Sequence, residues 1–110
     1  MITIDKDTNN ITIIKKDTAS LDILLDNYPL TNGDRVTLTI DREVEQETPI
    51  KQIIVTNFNE EGGAIINLTS EDTDLEIGTY KYDIQINTAD GRVDTVIGPA
   101  KFKVIGGVTY

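Results

Sequence analysis

The chain has 110 residues, the length of one domain, and a chain of that size buries roughly two-thirds of its unfolded surface, enough for a core without staples. It has no cysteine and no histidine, which excludes disulfides, zinc–thiolate centres, thiol nucleophiles, histidine-based triads and the usual pH switch. Its 10 Lys and Arg stand against 19 Asp and Glu, a net charge of -9 that repels phosphate backbones and anionic lipid, so neither nucleic acid nor a membrane is expected as a partner.

Aromatic residues make up only 5% of the chain and tryptophan is absent, so Ile, Val and Leu must do most of the packing. Met1-Ile-Thr-Ile-Asp5 shows no charged region ahead of an apolar run, and no apolar run exceeds three residues. The expectation is a chain made in the cytoplasm without a signal peptide, with no membrane span. Asn10-Ile11-Thr12 and Asn67-Leu68-Thr69 then match the glycosylation sequon by chance.

The dominant rhythm is every second residue, the signature of strands with one buried and one wet face. Ile2–Asp5 reads as an edge strand. Asp5-Lys-Asp-Thr-Asn-Asn10 follows, opening like a calcium loop, but Asn10 stands where that loop needs Gly and Lys16 where it needs a bidentate Glu. An acidic turn is the better reading. Ile11–Lys16 and Ala19–Asp26 are the next strands, then Asn32-Gly33-Asp34 makes a tight reversal. Arg35–Asp41 alternates without fault, with Val36, Leu38 and Ile40 on one face. Glu43-Val-Glu-Gln-Glu-Thr48 reads as a solvated loop, and Ile50–Thr56 as a strand.

Glu61-Gly62-Gly63 turns the chain into Gly63–Leu68. Thr69-Ser-Glu-Asp-Thr-Asp-Leu75 suits a single helical turn capped by Thr69 or Ser70, and no longer helix is expected. Its carboxylates in Ser70-Glu-Asp-Thr-Asp74 could serve as a catalytic pair, but an acidic helix cap explains them better. Tyr80–Asn87, Asp90-Gly91 and Arg92–Ile97 form the clearest hairpin. Gly98-Pro99 interrupts the strand as a bulge or kink would, before Lys101–Ile105.

Gly78 lies two residues before Tyr80 at the start of the penultimate long strand. This fits the tyrosine corner of immunoglobulin-like sandwiches, with the Tyr80 hydroxyl reaching back to upstream backbone and Gly78 permitting a sharp approach. The other reading is two core tyrosines, Tyr80 and Tyr82, on one strand face. The predicted fold is therefore all-β: an antiparallel immunoglobulin-like sandwich of seven to eight strands, one domain over residues 1–110, with at most one helical turn near 70–75. No catalytic, cofactor-binding or metal-ligating residue is predicted, and no small-molecule substrate. A carbohydrate platform would have to come from Tyr28, Phe58 and Tyr110, because Tyr80, Tyr82 and Phe102 look committed to the core.

Leu68-Thr-Ser-Glu-Asp-Thr73, Leu75, Gly78-Thr-Tyr-Lys-Tyr-Asp-Ile84, Asp90-Gly-Arg-Val-Asp-Thr95, Gly98 and Phe102-Lys-Val104 carry a family likeness. Their order resembles the immunoglobulin-like N-terminal domain of the upper baseplate protein of tailed phages of Gram-positive bacteria. The matching residues concentrate in the last 45 or so, and the Thr48-Pro49 region does not align. The resemblance implies a non-enzymatic structural role in a virion tail or baseplate, docked to other tail proteins or to itself. The alternative is a bacterial surface or carbohydrate-binding module of similar fold. In many members a longer chain leads on to receptor-binding elements. This sequence stops at Gly106-Gly-Val-Thr-Tyr110, either as a small protein or as an excised domain.

Overall fold

The computed structural model describes residues 2–25, 28–42 and 50–108. Among them run eight strands and no helix: β1 (Ile2–Ile4), β2 (Ile11–Ile14), β3 (Ala19–Ile23), β4 (Arg35–Arg42), β5 (Lys51–Val55), β6 (Ala64–Leu68), β7 (Gly78–Asn87) and β8 (Val93–Ile105). Six form one sheet in the order β1-β2-β8-β7-β4-β5, and β3 and β6 pair as a second. The expected strand at 19–26 thus ends at Ile23, Asp26 lies outside the described residues, and the two strands expected at 92–97 and 101–105 are one.

Strand formation follows from alternation. In β4 the inward Val36, Leu38 and Ile40 are fully buried, and β7 contributes Tyr82, Ile84 and Ile86 to the same face. Ile11, Ile13, Phe102 and Val104 extend that face across β2 and β8, and the second sheet answers with Leu21, Ile23, Ala64, Ile66 and Leu68. Tyr82 packs edge-on to Phe102 with ring centroids 6.1 Å apart. This pair is the aromatic centre of an otherwise aliphatic core.

An all-antiparallel arrangement was the expectation, and one pair departs from it. β2 runs parallel to β8, with Ile11 opposite Phe102 and Ile14 opposite Ile105. Parallel strands need a long crossover between them, and here the rest of the domain supplies it. Alternation has the same period in either direction, so it does not specify strand polarity.

The residues at 69–74 make a hydrogen-bonded turn and not a helix. The Thr73 amide donates to the Thr69 carbonyl at 3.2 Å, while the Thr69 and Asp72 side chains accept from each other's amides. The tyrosine reach-back is present: the Tyr80 hydroxyl donates to the Glu76 carbonyl at 2.6 Å. Gly78 has a different part from the one expected. Its φ is not positive and a Cβ there would meet nothing within 4 Å, so no backbone demand requires glycine. Gly98 does meet such a demand, with φ 92° and a would-be Cβ only 2.7 Å from the Tyr82 carbonyl oxygen. There the β7–β8 register shifts, so of the bulge or kink expected at Gly98-Pro99 the structure has the bulge, inside one continuous strand.

Core and face positions should separate cleanly on substitution. Phe102→Ala, at a site with no exposed surface, is expected to cost about 3–5 kcal/mol in urea unfolding. Thr39→Ala, on the wet face of β4, should stay within about 0.5 kcal/mol.

Candidate interaction surface

At one end of the sandwich, two turns are bound together by a buried carboxylate. The Thr31–Asp34 turn closes through the Asp34 amide on the Thr31 carbonyl, with Gly33 at φ 95°. Asp34 is 2% exposed, yet its carboxylate is fully engaged. It accepts from the Thr31 amide at 3.0 Å, the Ala89 amide at 3.0 Å and the Tyr28 hydroxyl at 3.2 Å. The Ala89 contact reaches into the β7–β8 hairpin, so this one side chain joins the segment before β4 to the turn before β8.

Those donors set the protonation of the cluster. Hydrogen bonding from the Thr31 amide, followed by the Ala89 amide and Tyr28, holds Asp34 below the usual carboxylate range against the opposing effect of burial. Burial and the neighbouring Asp34 push Tyr28 up. Arg92 lies over the Tyr28 ring, 5.6 Å from its centroid, and pairs with Asp90 at 3.8 Å. Hydrogen bonding from Thr88 lowers Asp90 in turn. A shallow cleft of about 440 Å³ opens beside the cluster, where Arg35, Thr56, Asn87 and Val93 meet the two turns.

The opposite end carries the acidic 70–74 run. Asp72 caps the Thr69 amide at 2.8 Å and pairs with Lys51 at 3.5 Å; Asp74 pairs with Lys15 at 3.6 Å. Thr73 is fully buried and donates to the Asp17 carbonyl at 2.8 Å, tying this turn to the β2–β3 connection. The two carboxylates therefore point to different lysines. In the 5–10 segment the Asp5 carboxylate accepts from the Asp7 amide at 2.8 Å and the Thr8 amide at 3.3 Å. That is the acidic turn expected between two strands. Among the described residues no group of three acidic side chains stands close enough to hold a metal ion.

Of the aromatics free for a carbohydrate platform, Tyr28 and Phe58 are both half-buried against the core. Tyr110 and the Glu43–Thr48 run lie outside the described residues. The outer face of the large sheet is paved mainly with Thr, Gln and Lys. On it Lys81 stands directly opposite Lys101, and Lys103 opposite Thr79. Sequence reasoning did not find this meeting of lysines, beside Asp41 on the neighbouring strand, because its members come together only through the register. Nor did it find the role of Asp34, since an Asp in an Asn-Gly-Asp turn is ordinarily solvated. No protein-family model matches this chain, and no curated protein matches it.

The carboxylate of Asp34 should be felt in stability and in its dependence on pH. A folded-state pKa below the unfolded value means that its contribution is complete above the ordinary carboxylate range, about pH 4, and disappears as pH falls through the folded value. Asp34→Ala is expected to lower Tm at pH 7 by at least about 5 °C. The gap from wild type should narrow on acidification below about pH 4, as followed by thermal melts across pH.

Proposed function

We propose that the chain is an immunoglobulin-like sandwich acting as a non-enzymatic docking module of a phage or prophage tail or baseplate. Taking β3, β4, β6, β7 and β8 as strands B, C, E, F and G gives B and E in one sheet and C, F and G in the other. That partition is the one an immunoglobulin-like sandwich needs, and it supports the fold reading. The parallel β2 then belongs beside the last strand, with β1 outside it at the sheet's margin.

The observation that carries the proposal is the Tyr80–Glu76 bond at the start of β7, in the middle of the stretch that resembles the baseplate family. The other residues of that stretch hold framework positions around it. Leu68 and Phe102 are buried, Thr69 and Asp72 cap one turn, and Gly91 takes φ 95° in the hairpin. A domain of this kind works by presenting rigid sheet surface to neighbours, and its charge of -9 favours partners with cationic faces.

Co-expression with the products of neighbouring genes tests the proposal. Tail genes are expected beside this one, and at least one of their products should co-elute with the chain as a complex of fixed stoichiometry. A strict monomer at high concentration that binds none of them, or a metabolic operon around the gene, would overturn it.

A further inference from the structure

We propose that the free edge of β3 accepts one extended strand of a partner protein, apolar at alternate positions and cationic between them. The proposal rests on the docking-module reading and names the surface and the partner's chemistry. Three observations converge on it.

The two sheets are unequal. β3 pairs only with β6, and β6 lies against β5, so the other edge of β3 faces the β1–β2 side with no strand on it among the described residues. The large sheet continues beneath that gap. Ile2 and Ile4 of β1 stand opposite Ile13 and Ile11, so all four side chains point to the interior face. Ile11 and Ile13 are 1% and 0% exposed, whereas inward-pointing Ile4 is 44% exposed. The small sheet is slightly more open on the same side, although its inward leucines and isoleucines are all in the core. Leu21 and Ile23 of β3 keep 6% and 8% exposure where Ile66 and Leu68 of β6 keep 0% and 2%.

A strand added to β3, at the usual spacing of about 4.8 Å, would lie over Ile2 and Ile4 and close the gap. Only an extended backbone can satisfy a row of edge amides and carbonyls, which fixes the occupant's conformation. Its inward side chains would meet isoleucine and must be apolar. Its outward side chains would stand beside exposed Asp22, on a chain carrying -9, and are therefore best cationic. A second copy fits less well. Pairing β3 with β3 would set two Asp22 carboxylates on one short ladder and bring together two chains of like charge.

The probe is a capped peptide of alternating lysine and valine, titrated into the full 15N-labelled chain and followed by amide chemical shifts. Shifts should centre on β3 and β1. Asp22→Lys and Ile4→Asp, both at exposed positions that leave the core intact, should each weaken binding by about tenfold or more. Peptides with glutamate for lysine, or serine for valine, should bind at least about tenfold more weakly. Unmoved β3 amides, equal binding by either control peptide, or a self-associated chain whose contacts map to β3 would each overturn the proposal. A tail partner that binds Asp22→Lys as tightly as wild type would overturn this edge and leave the docking role standing. Peptide capture at β3 with no partner among the tail proteins would do the reverse.

Discussion

Among the described residues six strands present one apolar face, and two strands must cover it. The rest of the molecule follows from how that mismatch is met. Each buried aliphatic side chain contributes roughly 1.5–3 kcal/mol relative to exposure, opposed by the cost of ordering the chain. The favourable term is greatest for the side chains with 0–1% exposure, among them Ile13, Val36, Leu38, Ile40, Ile66, Ile84, Phe102 and Val104. Towards the margins the cover thins. Ile53 and Val55 of β5 and Ile2 of β1 are only half-buried, packed against the core from its edge.

Polar residues that might have suggested chemistry are occupied with holding this frame. Asp34 fastens two turns, Asp72 caps one and pairs with a lysine, and Thr73 joins two connections at the other end. Among the described residues every buried side-chain polar atom has a hydrogen-bond partner. Such complete satisfaction is what a rigid scaffold needs, because a buried polar group left alone costs about 1–3 kcal/mol.

Much of this was legible in the residues because strand period and turn chemistry are local properties. Val36-Leu38-Ile40 declared its inner face, Asp90-Gly91 its hairpin, and Tyr80 its reach-back bond. Properties set by the partner strand were not legible. The polarity of β2, the continuity of β8 across Gly98, and the meeting of Lys81 with Lys101 all depend on register between distant segments. Gly78 shows the opposite error: a glycine at a plausible position invited a conformational explanation that its backbone does not need. For the proposed docking surface the sequence offered only charge. The open margin of β3 comes from counting strands in each sheet, which no local pattern encodes.

The parallel seam between β2 and β8 bears on how the molecule is made. Residues 11–14 leave the ribosome some ninety residues ahead of their hydrogen-bonding neighbour, 102–105. Until then the first hairpin has no seat in the larger sheet, and its isoleucines stay wet. Contacts so far apart in sequence slow folding and favour a single late closure over stepwise growth from the N-terminus. A nascent chain lacking β8 would thus carry an unpaired β2 edge.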